Sequence, residues 1–412
     1  MFKWIRDYLY FLWRCFVISF DGNRGFYIWM TFLTCLSLIG LNAYCKQLVH
    51  GLMTTGMTDH VSWGLYIANF TYLVGMAAAA VMLVIPAYIY RKKEIHEVVI
   101  FGELFAVASI IMCLLFVTVD LGRPDRFWHL IPGIGRFNFP ISMLSWDVVV
   151  LNVYLLINLH VTGYLLYMKY LGREPNKWVY LPFVFLSIVW AVSIHTVTAF
   201  LLAGFAARPF WNTAVMGPRF IASAFAAGPA VIIITLQLIR KVFGYRTSED
   251  AIFLLRKIIQ VSMSINMFLL INELFKEFYT DTLHNASAKY LFFGLHGHDA
   301  LVPWIWTALA MNTVALILLM SPITRRVVPL NIACILLIVG IWIEKGMGLI
   351  IPGFIPNPLG EIVEYVPTWN EIFVCVGVWA TGGLVYTVLL RCATPILKGQ
   401  LNINLKYTQR KI

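Results

Sequence analysis

Ten stretches of the chain are long and apolar enough to cross a membrane as helices. A helix needs about 20 apolar residues to cross roughly 30 Å of hydrocarbon. The runs that meet this requirement lie at about 25–44, 62–90, 97–119, 144–168, 182–205, 219–239, 253–277, 302–320, 328–351 and 370–391. With 60% hydrophobic and 12% charged residues, the chain carries more apolar surface than a water-soluble fold buries. We therefore predict an all-α membrane protein with ten transmembrane helices.

The distribution of positive charge predicts the orientation of these spans. Ten spans place both termini on one side, and 22 of the 31 Lys and Arg residues then fall on that side. Because cytoplasmic loops are enriched in Lys and Arg, we expect both termini in the cytoplasm and the protein in the cytoplasmic (inner) membrane. The net charge of +11 thus reflects topology and contact with membrane lipids, and it does not indicate nucleic-acid binding.

Three regions are predicted: a cytoplasmic interfacial helix at 1–24, a polytopic membrane domain at 25–395 and a basic cytoplasmic tail at 396–412. On a helical wheel the N-terminal segment separates a charged face from an apolar one. The charged face holds Lys3, Arg6, Asp7 and Arg14, and the apolar face holds Trp4, Tyr8, Phe11, Cys15 and Ile18. This pattern favours a helix lying on the membrane surface. A first, weakly hydrophobic span is the alternative.

The long loops lie on the side opposite the termini, which we call the outer side. They cover 45–61, 120–143, 206–218, 278–301 and 352–369, and they contain six of the nine histidines. Ordered loops rich in aromatic and titratable residues favour a binding surface over simple connectors. The seven cysteines are scattered without a C-x-x-C pair, so we expect no iron–sulfur cluster in this chain.

Several ionisable residues fall inside the predicted spans, where burial of a charge is costly. Four of them sample most of the membrane depth on spans three to five: Glu103, Asp147, His160 and His195. A second set on spans seven to nine comprises Gln260, Asn266, Asn272, Glu273, Asn312 and Glu344. Such groups serve as proton relays or join neighbouring helices by hydrogen bonds. Ligation of a haem by His160 and His195 is a weaker alternative, because a two-haem cytochrome needs four deep histidines.

The loop after the third span contains the motif D-L-G-R-P at 120–124. It places a carboxylate and a guanidinium at the outer interface, where Asp120 and Arg123 are able to pair and hydrogen-bond a polar head group. A purely structural helix cap is the alternative. The motif S-x-x-S-W at 142–146 leads into span four, directly before Asp147.

These two motifs resemble the NrfD/PsrC-type membrane subunits of respiratory iron–sulfur enzymes. Supporting matches lie at Trp63-Gly64, at 193–196, at 208–211 and at 218–220. Within that family the chain is most similar to the ten-span DsrP-type subunits of sulfite-reduction-linked DsrMKJOP complexes. The resemblance implies two four-helix bundles plus flanking spans. A weak internal repeat pairs Gly75 in span two with Gly228 in span six, which is compatible with repeated bundles.

The resemblance also implies a function and its site. Such subunits exchange electrons between menaquinone near the outer face and a periplasmic ferredoxin-like iron–sulfur subunit, beside other membrane subunits that include a cytochrome b-type one. The quinone-binding candidates are His60, Trp63, Asp120, Arg123, His129, Ser145 and Trp146. The proton-pathway candidates are Glu103, Asp147, His160, His195, Glu273 and Glu344. His60, Asp120 or Asp147 is expected to exchange protons with the head group. The chain itself is expected to bind no haem and no metal.

Two other classes remain open from the sequence. A secondary transporter places its site at the midplane between inverted repeats and broken helices, whereas the repeat seen here is parallel. A passive membrane anchor without redox chemistry is the second. In each reading the chain is a subunit or carrier and not an independent enzyme.

Overall fold

The computed structural model describes residues 2–90, 92–96, 98–245, 247–279 and 283–403. The described chain is helical and contains no strands, only two isolated bridges. Ten helices have the length and composition of membrane spans, which confirms the predicted number. In chain order, spans 1 to 10 are Arg24–His50, Leu65–Ile89, Val99–Asp120, Met143–Leu171, Lys177–Ala203, Met216–Phe243, Glu249–Tyr279, Val302–Met320, Val327–Phe354 and Trp369–Leu397.

A separate N-terminal helix, Phe2–Ser19, precedes span 1. Phe11 and Ile18 are buried, and Phe11 packs on Tyr167 and Tyr170 of span 4. Arg14 donates to the carbonyl of Asn402 at 2.9 Å, so the helix also contacts the segment after span 10. The last part of the predicted basic tail, residues 404–412, lies outside the described residues.

Eight of the spans pack as two groups of four. The first group is a ring of spans 2, 3, 4 and 5, in which each span contacts the next and span 5 contacts span 2. Spans 6 to 9 form a second ring of the same kind. Span 10 packs against both span 1 and span 3. At the crossing of spans 1 and 10, Gly40 lies against Gly377, where a methyl group on Gly40 would lie 2.4 Å from the facing Cα. The expected arrangement of two four-helix bundles with flanking spans is thus present.

The two bundles meet along spans 2 and 6. Gly228 of span 6 faces Ala79 of span 2, and an added methyl group would lie 2.2 Å from the alanine Cβ. Gly75 of span 2 faces Ala224 in the same way, at 3.4 Å. The two glycines of the weak repeat therefore lie in the contact between the bundles, as small residues do where membrane helices pack tightly.

Two spans depart from regular α-helix near one end. Span 2 ends in a π-helical turn, Ile85–Ile89, which includes Pro86. Span 9 contains a π-helical turn at Ile343–Met347, which carries Glu344 and Lys345. Such wide turns occur frequently at functional positions. The wide turn in span 9 changes the directions in which the side chains of Glu344 and Lys345 leave the helix, and so the neighbours that they face.

Candidate functional site

Before span 2 lie two predicted quinone-site residues, the exposed His60 and the half-buried Trp63. The Nδ1 atom of His60 lies 3.0 Å from the amide nitrogen of Asn357 in the loop before span 10. Trp63 packs against the rings of Trp211, Phe354 and Phe205 at centroid distances of 5.6 to 5.9 Å. Phe205 and Trp211 belong to one loop, so this aromatic cluster joins three outer segments of the chain, and tertiary packing sets the position of Trp63.

A buried carboxylate that the sequence analysis did not select stabilises this segment. Glu371, at the start of span 10, accepts hydrogen bonds from the backbone nitrogens of Gly56 and Leu65 at 3.0 and 3.1 Å and from the hydroxyl of Tyr365. Burial, together with the charge of Glu371, raises the pKa of Tyr365 above its usual range, so the phenol stays protonated and donates. These bonds fix the entry to span 2 beside His60 and Trp63.

Asp120 ends span 3 on the outer side. Its Oδ1 atom is buried and has no hydrogen-bond partner among the described residues. The neighbouring polar groups are occupied, since Gln47 donates to the carbonyl of Val119 at 2.6 Å and accepts from Tyr66 at 2.7 Å. A buried acceptor without a donor is costly, which sets Asp120 apart from the satisfied polar groups around it.

The expected pair between Asp120 and Arg123 is wrong. The guanidinium of Arg123 binds both carboxylate oxygens of Asp125 at 2.9 and 3.0 Å. The intervening Leu121 is extended, and the chain turns into the 3₁₀ helix Pro124–Leu130, so Arg123 points to solvent. Its hydrogen bonds hold the pKa of Asp125 below the usual range. Arg123 and Asp125 are both exposed, as is His129, which stacks on Trp128 at 3.9 Å.

The residues of the S-x-x-S-W motif organise the start of span 4. Ser145 is buried and donates to the carbonyl of Ser142 at 2.6 Å. The indole of Trp146 donates to the carbonyl of Pro140 at 2.8 Å and packs on Phe139. Both side chains therefore donate to backbone carbonyls just before span 4. These contacts stabilise the start of the helix.

In the first bundle, three predicted proton-pathway residues are buried between helices. Glu103 of span 3 accepts from Thr162 of span 4 at 2.9 Å. Asp147 of span 4 accepts from Thr198 of span 5 at 3.0 Å, and its second oxygen has no partner among the described residues. His195 is fully buried, with Nδ1 3.0 Å from the carbonyl of Ala191 and Nε2 unpaired in the described structure.

His160 differs from these three, and the expectation that it is buried is wrong. Its side chain is exposed, with Nε2 3.1 Å from the carbonyl of Val179 at the start of span 5. Asn176 caps span 5, which therefore begins at Lys177, five residues before the predicted start at 182. This extra turn brings the Val179 carbonyl to His160. The other histidine proposed for haem, His195, is in the interior, so the two imidazoles lie in different environments.

The second bundle contains an ionic network around Arg219 of span 6. Its guanidinium binds Glu273 of span 7 and Glu344 of span 9, the latter at 2.8 Å. Glu344 also accepts from Asn312 of span 8 at 2.7 Å and from Asn266 of span 7 at 3.5 Å. These acidic and amide residues belong to the second set of intramembrane polar groups predicted on spans seven to nine. The structure joins Asn266, Glu273, Asn312 and Glu344 through Arg219.

Lys345 extends this network toward the first bundle. Its ammonium group donates to the carbonyl of Phe220 at 3.3 Å and lies 4.2 Å from the centre of the Phe220 ring. A methyl group on Gly75 of span 2 would lie 3.2 Å from the same nitrogen. The backbone carbonyl of Lys345 accepts from the hydroxyl of Thr71 in span 2 at 3.4 Å. Lys345 thus lies between the polar residues of the two bundles.

A cavity opens beside this network. Apolar side chains form most of its wall, and Arg219, Glu273, Glu277, Glu344 and Lys345 supply the charged part. The described residues contain no group of three His, Cys, Asp or Glu side chains placed to hold a metal ion.

The match to a family model agrees with this architecture. The model described as "Polysulphide reductase, NrfD" matches residues 53–356, well over half of the chain. The chain belongs to the NrfD family. The NrfD match covers the whole of spans 2 to 9, which make up both four-helix bundles.

Three relatives illustrate the range of NrfD proteins that the chain is similar to. A putative membrane subunit of dimethyl sulfoxide reductase from Halobacterium salinarum is 26% identical over 91% of this chain and 92% of its own length. The Hdr-like menaquinol oxidoreductase integral membrane subunit of Archaeoglobus fulgidus is 23% identical over 50% of this chain and 48% of its own. The menaquinone reductase integral membrane subunit of Nitratidesulfovibrio vulgaris is 25% identical over 32% of this chain and 30% of its own.

Arg219 and Lys345 are the site residues that sequence reasoning missed. Both lie near the outer ends of spans, so they were counted with the nine outer Lys and Arg residues. Each is a cation within an otherwise apolar run, and each has an intramembrane acid nearby in the sequence. Glu344 directly precedes Lys345, and Glu273 lies on span 7, which follows the span of Arg219. Because a buried acid needs a partner, these acids themselves pointed to a buried cation.

Proposed function

We propose that the chain is the quinone-reactive membrane subunit of a respiratory oxidoreductase complex. Two relatives carry menaquinol or menaquinone in their names, which supports menaquinone as the quinone. The observation in the structure that supports a head-group site is the buried, unpartnered Oδ1 atom of Asp120 at the outer end of span 3. A quinol hydroxyl is a donor that satisfies such an acceptor.

The residues at the outer end of the first bundle also suit the head group of a quinone. The site would be formed at the outer end of the first bundle by Asp120 as proton acceptor, with His60 as a second titratable group and Trp63 as an apolar wall. Quinone supplies two-electron, two-proton chemistry when bound. Asp120 would accept the proton from the head group, while Glu371 keeps the entry to span 2 in place. Ser145 and Trp146 fix the start of span 4, and Arg123 and His129 belong to the exposed rim.

Proton movement within the membrane is a second part of the proposal. The interior groups that support it are Glu103, Asp147 and His195 in the first bundle and Glu273 and Glu344 in the second, with Lys345 between them. Intramembrane ionisable groups of this kind mark proton relays. His160 is left out of this series because its side chain is exposed.

The partners and location complete the proposal. We place the chain in the cytoplasmic membrane with its long loops on the periplasmic side, where a ferredoxin-like iron–sulfur subunit would receive or deliver electrons. Another membrane subunit of cytochrome b type would belong to the same sulfur-metabolising complex. The similarity to a dimethyl sulfoxide reductase membrane subunit supports assembly into such an oxidoreductase.

The test compares two aspartates from one loop, Asp120→Asn and Asp125→Asn, in the purified complex. With 2,3-dimethyl-1,4-naphthoquinol as substrate and a dye as acceptor, we expect Asp120→Asn to lower the rate about 100-fold, because a positioned proton acceptor contributes at least that much. Asp125 is exposed and bound to Arg123, so its variant should stay within about twofold of the parent.

Solvent extraction of retained quinone, with quantification by chromatography, gives a second readout that needs no electron transfer. Asp120→Asn should retain less quinone than Asp125→Asn. Parental rates and parental quinone content in the Asp120→Asn complex would show that the head group binds elsewhere.

A further inference from the structure

A crevice lies between spans 2 and 7 on the side of the chain termini, far from the outer loops. It comprises two neighbouring pockets, which share Lys92 and Leu254 in their walls. We call it the span 2–7 groove. Its deep part is apolar and includes Met82, Pro86 and Ile258. Its mouth carries Lys92, Lys257 and Asp250. The groove therefore runs from hydrocarbon depth to the membrane surface.

The end of span 2 shapes the deep part of this groove. The chain passes through the π-helical turn Ile85–Ile89, in which Pro86 donates no backbone hydrogen bond. Tyr90 follows with its side chain exposed, and the chain then enters the short helix Lys93–His96. The wide turn and the change of direction leave the apolar wall facing span 7 across the groove.

The mouth of the groove is positively charged. Lys92 and Lys257 both have exposed side chains. The ammonium group of Lys257 lies 4.7 Å from the centre of the Phe253 ring, and this cation–π contact holds it at the rim. Among the described residues that line the mouth, the ionisable ones are Lys92, Lys257 and Asp250, and together they carry a net charge of +1.

An apolar slot with ammonium groups at its surface end matches one class of membrane component. An acyl chain fills apolar space between helices, and a phosphodiester accepts hydrogen bonds from lysines at head-group depth. A neutral choline lipid would place its own cation beside two lysines, which is unfavourable.

We propose that the span 2–7 groove binds an anionic phospholipid, such as phosphatidylglycerol or cardiolipin. One acyl chain occupies the apolar wall at Pro86 and Ile258, and Lys92 and Lys257 bind the phosphate. Span 2 belongs to the first bundle and span 7 to the second, so the lipid joins the two bundles on the side of the termini. The site does not rest on the proposed quinone chemistry.

The test measures lipid retention by native mass spectrometry of the full chain in detergent, with equal amounts of phosphatidylglycerol and phosphatidylcholine added. The parent should retain phosphatidylglycerol selectively. The double variant Lys92→Gln/Lys257→Gln should lose at least tenfold in apparent affinity, because each lysine near the surface contributes about a fivefold factor. The matched control is Lys169→Gln/Lys177→Gln, two exposed lysines on the same side, which should bind as the parent does.

A second variant tests the apolar part of the groove with both lysines kept. Ile258→Trp fills the slot and should reduce retention of phosphatidylglycerol without changing the charge. Equal retention by the parent and by Lys92→Gln/Lys257→Gln would overturn the proposal. Unchanged retention by Ile258→Trp, or complete displacement of the lipid by inorganic phosphate, would also overturn it, since the lysines would then act as a plain surface charge.

Discussion

At the scale of single residues, opposite charges face one another in the network around Arg219. Arg219 and Lys345 carry two positive charges, and Glu273 and Glu344 carry two negative ones. The side chains of Arg219, Glu273 and Glu344 are only 16%, 10% and 4% exposed. Removing one partner from such a group leaves an uncompensated charge away from water, which is more costly than removing a whole pair. The network should therefore respond unequally to loss of its members.

We predict that Arg219→Met destabilises the protein more than Glu344→Gln. The arginine variant leaves two carboxylates facing each other and should cost about 3–5 kcal/mol. The glutamine variant keeps the Arg219–Glu273 pair and an amide at position 344, and should cost about 1 kcal/mol. Thermal unfolding in detergent measures the order, with the exposed Glu174→Gln as control. Equal melting temperatures for the two variants would show that Arg219 is not the centre of the network.

Single residues also show how far the sequence alone could lead. Asp147 and Glu344 were found because an acid inside an apolar run is conspicuous. Glu371 was not, since it stands at the start of a span, where an acid is ordinary, and its three donors come from residues 56, 65 and 365. Arg123 is expected to pair with Asp120 because the two are close in the sequence. The turn between them instead directs Arg123 toward Asp125. Contacts between distant segments are not encoded in local pattern.

At the scale of helices, packing between bundles depends on small residues. The spans themselves followed from hydrophobic length, and errors were confined to their ends, as at span 5, where the Asn176 cap extends the helix to Lys177. Which face meets which neighbour was not predictable, because spans 2 and 6 are apolar over most of their surface. The glycines at 75 and 228 were the available signal, since close approach of helix backbones requires small side chains.

We predict opposite effects for two glycine substitutions in spans. Gly228→Ala places a methyl group 2.2 Å from the Cβ of Ala79, so the bundles must separate, and the melting temperature should fall. Gly163→Ala meets no atom within 4 Å and should be neutral or stabilising by about 0.5–1 kcal/mol, as expected for alanine in a helix. An unchanged melting temperature for Gly228→Ala would show that the interface between spans 2 and 6 is looser than described.

At the scale of the whole molecule, the distribution of charge and the position of the network are connected. Nine Lys and Arg residues were assigned to the outer side from the sequence, but Arg219 and Lys345 are buried within spans 6 and 9. The outer loops therefore carry fewer free cations than the sequence count suggests. Arg256, on the terminal side, is also buried and holds the turn after span 8 through Thr324 and the carbonyl of Leu319. The remaining surface asymmetry still favours cytoplasmic termini.

This asymmetry predicts which loops reagents reach in intact cells. With Cys45 replaced by serine, a cysteine at Leu359, which is 81% exposed in the loop before span 10, should react with a membrane-impermeant maleimide. A cysteine at the exposed Glu174, between spans 4 and 5, should react only after the cells are permeabilised. The protein with Cys45→Ser alone supplies the background.

Labelling of Glu174→Cys but not Leu359→Cys in intact cells would reverse the orientation. The outer loops, with His60 and Asp120 at their base, would then face the cytoplasm, and the proposed iron–sulfur partner would have to bind there.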